Sequence, residues 1–171
     1  MKTYNMGFIP ELPEHIRYLD NDCYGKGLAR FRVATIEVAV VNKNNEILIC
    51  KRKEPPLVGG WWLCGTKLIG PENLEDGAIR ALKNEISLIV DANRIINTGL
   101  LQFINWPVTK TAPFAEFNQH NVVFVKITED EEKNIKLRGH EHEEYKFVSL
   151  NNQAELIDPL KEIFEKLKEI L

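Results

Sequence analysis

A mixed β-sheet covered by helices, of the α/β or α+β class, is what this sequence predicts, and three observations lead there. Strand-like runs stand on both sides of one amphipathic helical segment, and a second such segment closes the chain. No internal repeat, low-complexity tract or Gly/Ser linker divides the 171 residues. At that length, with 44% hydrophobic and 27% charged residues, the chain can fill one core, so a single domain over 1–171 is expected.

Taken in order, residues 1–30 carry the weakest pattern and read as an N-terminal extension, with Pro13 to Tyr18 as a short helix and Gly25 to Gly27 as a turn. Val33 to Val41 is rich in β-branched residues and meets Glu46 to Lys51 across Asn42-Lys43-Asn44-Asn45, a β-hairpin pattern. Pro55 to Trp62, with two prolines and two glycines, is a loop entering a short strand. From Asn73 to Ile86 the apolar residues Leu74, Ala78, Leu82 and Ile86 recur every four positions, which predicts a helix. Ile95 to Asn105, Asn121 to Ile127 and Glu144 to Ser149 predict further strands. Leu156, Leu160, Ile163, Phe164, Leu167 and Leu171 mark a C-terminal helix within 151–171, with Pro159 in its first turn.

Charge and cysteine content narrow the function classes. Twenty-two basic against 25 acidic side chains leave a net charge of −3, which argues against general affinity for nucleic acid or an acidic membrane. Three cysteines, Cys23, Cys50 and Cys64, lack metal-ligand spacing and are odd in number, so a secreted disulfide framework is not expected. No apolar run approaches the roughly 20 residues of a membrane span, and the start lacks the apolar core of a signal peptide. The expectation is a cytoplasmic protein.

One residue breaks the helical pattern. At about 100° per residue, Glu85 projects between Leu74 and Ala78, inside the apolar stripe. A buried carboxylate near a helix C-terminus is unfavourable unless a positive group meets it. A lysine or arginine crossing from the sheet would serve, and so would a divalent metal. The compact loop Gly65-Thr66-Lys67-Leu68-Ile69-Gly70-Pro71-Glu72 enters the helix and could offer a carbonyl to a hard cation.

This strand, loop and helix resemble the Nudix hydrolase signature: Gly, five residues, Glu, seven residues, Arg-Glu, an aliphatic, any residue, Glu-Glu, any residue and Gly. Here Glu72, Arg80, Leu82 and Glu85 agree, while Thr66, Ala81, Asn84 and Ser87 depart from it. The pattern is similar to the GDP-mannose mannosyl hydrolase branch, which keeps a single metal-binding glutamate in the helix. Leu48 to Arg52 with Pro55-Pro56 and Gly60-Trp61-Trp62 resembles that branch's approach to the site. Gln119 to Val123 resembles its central strand, and Glu141-His142-Glu143-Glu144-Tyr145 its Gln-His-acid-acid-Tyr loop. The resemblance covers a core of about residues 34–158 and implies an α/β/α sandwich with a central mixed sheet.

The resemblance also implies roles. Glu85, Glu141 and the backbone carbonyl at Thr66 would hold Mg²⁺, or Mn²⁺. His142 matches the general base, and Arg52 and Lys67 match cationic positions on the pyrophosphate. Glu37 and Tyr145 are further substrate-binding candidates. The implied reaction is water attack at the anomeric carbon of a nucleotide sugar, GDP-mannose-like, releasing sugar and nucleoside diphosphate. One Mg²⁺ with nearby Arg and Lys suffices for such a leaving group, which accounts for the missing carboxylates at Ala81 and Asn84. The residues leave two other readings open: a pyrophosphohydrolase of another nucleoside diphosphate derivative, and a catalytically inactive Nudix-fold module that binds a nucleotide-like ligand. A homodimer is expected by analogy. His120 and His140 read as structural or surface residues, and Trp61, Trp62 and Trp106 as anchors of core or loop. Arg80 pairs with Glu72 or another acid in this reading, positioning loop against helix.

Overall fold

The computed structural model describes residues 20–70, 72–108, 110, 115–138 and 141–171. The expected helix at Pro13 to Tyr18 lies outside them. The first element is helix α1, Asn21–Arg30, in which Asp20 is the N-cap and its carboxylate accepts from the Asp22 and Cys23 N–H groups at 3.0 and 2.9 Å. The turn expected at Gly25 to Gly27 is therefore helix instead. The cap satisfies two of the free N–H groups, and Gly25 and Leu28 are buried. Together these outweigh the roughly 1 kcal/mol that each helical glycine loses against alanine.

Strand β1, Arg32–Val41, and β2, Glu46–Arg52, form the expected hairpin. Its turn is fixed by the Asn42 side chain, whose oxygen accepts from the N–H groups of Asn44 and Glu46, both at 3.0 Å. The two strands are in register only at Val41↔Ile47 and then part. Into the opening come β3, Trp61–Trp62, which pairs with β2, and β4, Cys64–Lys67, which pairs with β1. This arrangement sets Gly65 opposite Glu37 and brings Trp62 to the same place.

Helix α2, Leu74–Ile86, follows the apolar period read from the sequence and buries Ala78, Ala81, Leu82 and Ile86. The Asn73 side chain caps it by accepting from Asp76 N at 2.7 Å, and Ser87 closes it in the left-handed region, φ 61°. A 3₁₀ turn at Ala92–Arg94 leads to β5, Ile96–Trp106, which runs antiparallel to β6, Glu116–Lys126. Strand β6 runs parallel to β1 from Arg32↔Phe117 to Val41↔Lys126. It begins five residues before the expected start at Asn121, because Glu116, Asn118 and His120 alternate as buried polar residues. An apolar criterion passes over such a segment.

A short helix, α3, Glu129–Lys133, was not expected from periodicity; Thr128 and Glu131 hold it with a reciprocal capping box. Strand β7, His142–Ser149, pairs with β2 and starts two residues before the expected Glu144. Helix α4, Asp158–Lys168, has Pro159 in its first turn as expected, but residues 151–157 precede the helix. Both sheet faces are covered. Ile36, Val38, Val123 and Val125 pack toward Ala78, Leu82 and Ile86 of α2, and Ala39, Val41, Val122 and Phe124 toward Leu160, Ile163, Phe164 and Leu167 of α4. The result is the expected mixed-sheet sandwich. No helix of the described residues is long and apolar enough to cross a membrane.

Candidate active site

A cleft of about 360 Å³ opens where β1 and β2 separate. Its floor is polar yet buried. Glu37, 4% exposed, accepts hydrogen bonds from Trp62 Nε1 at 2.8 Å and Thr35 Oγ1 at 3.1 Å, and lies 2.7 Å from His120 Nδ1. A carboxylate in such surroundings persists because each oxygen is paired. Gly65 is part of the same arrangement. A Cβ there would stand 2.6 Å from the Ile36 carbonyl oxygen and would overlap the Glu37 carboxylate, so only glycine lets β4 lie against that acid.

Three cations line the cleft. The Arg52 guanidinium donates to the carbonyls of Pro56 at 2.8 Å and Pro55 at 3.3 Å, and its Nη1 lies 3.4 Å from Glu141 Oε2. Lys67 Nζ lies 2.9 Å from Glu116 and 5.5 Å above the Tyr24 ring. Burial works against this ammonium, but Glu116 and Tyr24 outweigh it and hold its pKa above the ordinary lysine value. Arg80 on α2 grips Glu72 with Nε at 2.6 Å and Nη2 at 2.8 Å, the pairing expected from sequence. The same guanidinium donates to Thr66 Oγ1 at 3.2 Å and the Lys67 carbonyl at 2.8 Å, fastening helix, loop and β4 together. Burial raises the Glu72 pKa, yet Arg80 and the Ile69 N–H prevail and leave it lowered.

Beyond β4 lies Glu85, turned inward as expected. Its partner is neither lysine nor arginine. Glu85 Oε2 is 2.8 Å from His142 Nε2 and accepts from the Gly65 N–H at 3.3 Å. Burial pushes the Glu85 pKa up; His142 draws it down, and Glu141 and Glu37 add to the upward push. The His142 side chain is 1% exposed, and its Nδ1 has no partner among the described residues. In the tautomer with Nε2–H turned toward the Glu85 carboxylate, Nδ1 keeps a lone pair.

The structure thus brings Arg52, Lys67, Thr66, Glu37 and Glu141 to one cleft. Glu85 and His142 are joined to it through the Gly65 N–H rather than standing on its wall. Tyr145 is not brought in: it sits on β7 opposite Cys50 and does not line the cleft. Tyr24, Trp62, Trp106, Asn118 and His120 do line it, and sequence reasoning passed over all five as site residues. Trp62, Trp106 and His120 meet edge to face, with ring centroids 5.7 to 6.2 Å apart. For Asn118 and His120 the available signal was their period-two spacing with Glu116.

Among the described residues no three His, Cys, Asp or Glu side chains converge as a ready metal site. The donors nonetheless suit a single hard cation. Glu85 is a buried carboxylate whose nearest acidic neighbours, Glu141 and Glu37, push its pKa further up. The Glu141 side chain is 57% exposed and only loosely held by Arg52, so it is free to turn. Oxygen ligands of this kind, completed by water and a carbonyl, are what Mg²⁺ and Mn²⁺ take.

Sheet, capped helix and cationic cleft define a Nudix domain, and the chain belongs to that family: the NUDIX domain model matches residues 30–167. Solved structures agree in fold. The E. coli dihydroneopterin triphosphate pyrophosphohydrolase superposes with a TM-score of 0.64 at 17% identity, over 83% of this chain and 100% of that one. A MutT NUDIX hydrolase from Burkholderia pseudomallei gives 0.63 at 18% identity, over 81% and 99%. The NUDIX domain of Shewanella oneidensis NrtR, complexed with ADP ribose, gives 0.59 at 16%, over 84% and 96%. A comparison with curated proteins finds no match.

Proposed function

We propose that this chain is a Nudix hydrolase acting on a nucleoside diphosphate-linked substrate, a nucleotide sugar of the GDP-mannose kind, with Mg²⁺ or Mn²⁺. The observation that carries the reading is the cleft itself, where Arg52, Lys67 and Arg80 line a cavity that also holds Trp62, Trp106 and His120. Such a cavity suits a ligand that is anionic at one end and polar but uncharged at the other. Arg52 and Lys67 hold the diphosphate, and Arg80 keeps β4 and its loop in place against α2. Glu85, Glu141 and the Thr66 carbonyl would hold the cation, which when bound neutralises charge on the departing diphosphate.

In this reading water bonds to the anomeric carbon, the C–O bond to the diphosphate breaks with its electron pair going to the leaving group, and the water proton passes to His142. Nδ1 is the receiving atom, since Nε2 already faces Glu85, and because the ring is buried and off the cleft wall, receiving the proton requires it to turn toward the cleft. Glu85 orients the ring and stabilises it once protonated. The second reading, a binding module without turnover, is favoured by one observation: the helical carboxylate is already closed by His142.

The test is turnover of GDP-mannose with Mg²⁺ by the parent chain and by His142→Gln, reading both sugar and nucleotide products. Loss of a general base lowers turnover by about 10² to 10⁴. A drop of tenfold or less removes His142 from that role. Free mannose with GDP supports carbon attack, whereas mannose phosphate with GMP supports phosphorus attack. Binding without any product supports the module.

A further inference from the structure

Among the described residues the functional reading leaves three buried polar atoms without a partner, on Gln102, Asn118 and His120, and the last two residues line the cleft. Asn118 and His120 are 4% and 3% exposed, and among the described residues Asn118 Oδ1 and His120 Nε2 have no hydrogen-bond partner. Their chemical character is fixed by their other contacts. Asn118 Nδ2 donates to Glu116 Oε1 at 2.8 Å, and because a carboxylate only accepts, the amide oxygen is the atom left over. His120 Nδ1 faces Glu37 Oε1 at 2.7 Å and Thr35 Oγ1 at 2.9 Å, and in the tautomer with the proton on Nδ1 toward Glu37 the lone pair is at Nε2.

Two such acceptors therefore belong to residues on one face of β6, two positions apart along the strand. Buried acceptors without donors are uncommon, and a pair of them in a cleft asks for a donor-bearing ligand. A phosphate brings only acceptors and cannot pair with two acceptors; its partners are Arg52 and Lys67. A nucleobase edge mixes donors with acceptors and would leave some of its own groups unpaired. Sugar hydroxyls donate, several are carried on one ring, and a sugar's C–H faces pack against indole. Trp62 and Trp106 supply that surface beside His120.

We infer that Asn118 and His120, walled by Trp62 and Trp106, form the subsite for the sugar carried beyond the diphosphate, with hydroxyl groups donating to Asn118 Oδ1 and His120 Nε2. The inference rests on the nucleoside diphosphate reading above and adds which end of the cleft takes which part of the ligand. Glu37 acts here as a positioning residue, holding the imidazole with its lone pair free for the ligand. Neither β6 residue takes part in proton transfer.

Calorimetric titration tests this with GDP, GDP-mannose, ADP and ADP-ribose, using Ca²⁺ in place of Mg²⁺ to hold turnover down. In the parent chain one sugar-bearing nucleotide binds about tenfold tighter than its diphosphate, as one or two net hydrogen bonds allow. His120→Phe and Asn118→Leu each reduce that ratio, and in His120→Phe, which leaves the Lys67–Glu116 pair untouched, the diphosphate keeps its own affinity within twofold. Equal affinities within both pairs for the parent chain overturn the inference without any variant, so misfolding of a buried substitution cannot shelter it. A ratio unchanged in both variants overturns it as well. If the parent chain binds none of the four, the functional reading fails and this inference with it.

Discussion

Gly65→Ala is the substitution that interrogates the site most directly. The added methyl would sit 2.6 Å from the Ile36 carbonyl oxygen and would overlap the Glu37 carboxylate. Two responses are open. Either β4 moves away from β1, disturbing the ladder from Thr35↔Lys67 to Val38↔Cys64, or Glu37 swings off its partners. The first is overpacking, at about 1–3 kcal/mol. The second breaks the Trp62 Nε1 bond of 2.8 Å, a hydrogen bond to a charged group and worth about 1.5–3 kcal/mol. The structure takes the less costly route or mixes the two, so the loss should be about 1–3 kcal/mol. For a chain of this size that lowers Tm by about 2–12 °C. Urea denaturation and a thermal scan followed by circular dichroism measure both quantities. Combined with Glu37→Ala, the two losses should be less than additive, since the group that the methyl displaces is already gone. A Tm within 1 °C of the parent for Gly65→Ala would refute the claim that β4 rests on Glu37.

Three further outcomes follow from the geometry. Glu131 is held by Arg94 at 2.6 and 2.9 Å and by the Thr128 cap, with Arg94 the larger cause of a carboxyl pKa lowered from 4.5 to about 2. Its folded pKa is below its unfolded one, so its contribution is fully present above about pH 4.5 and is lost as pH falls toward 2. A fully sheltered group would contribute about 3 kcal/mol, and the partial exposure of both partners reduces this to about 1–2 kcal/mol. Glu131→Gln should therefore be destabilised by that amount at pH 7 and by progressively less below pH 4.5; a gap independent of pH in urea titrations contradicts the pairing. Phe164→Ala removes a ring that is fully buried against the sheet, and urea denaturation should register a loss of about 3–5 kcal/mol. Cys50 and Cys64 are buried with sulfurs 3.5 Å apart, whereas Cys23 is exposed. An aromatic disulfide reagent should titrate one thiol of three in the native protein and all three in denaturant.

The helices α2 and α4 were legible because burial on one side of a helix imposes a period that the sequence displays directly, as Leu74, Ala78, Leu82 and Ile86 do. The β1–β2 hairpin was legible for a similar reason, with β-branched strands meeting at an asparagine turn. Glu85 announced itself by violating its helix's pattern, and Arg80 with Glu72 fitted the Nudix signature. What was not legible is equally specific. The first half of β6 was missed because Glu116, Asn118 and His120 are polar and buried. A polar alternation facing a cleft looks, in sequence, like a loop facing water. Gly25 and Gly27 looked like a turn because glycine's backbone freedom says nothing of a cap placed at Asp20.

By itself the sequence determined the long helices α2 and α4, the β1–β2 hairpin and the apolar parts of the later strands, and that an inward acid at position 85 must find a partner. Local patterns carry those facts because each depends on neighbours a few residues away. That the partner is His142, 57 positions along the chain, and that Glu37 gathers Trp62, Thr35 and His120 at the cleft floor, was decided only by tertiary structure. These contacts arise where β1 and β2 diverge and β4 enters beside Glu37. A hydrogen bond between side chains so far apart in sequence depends on strand register, and the order of residue types does not encode register by itself.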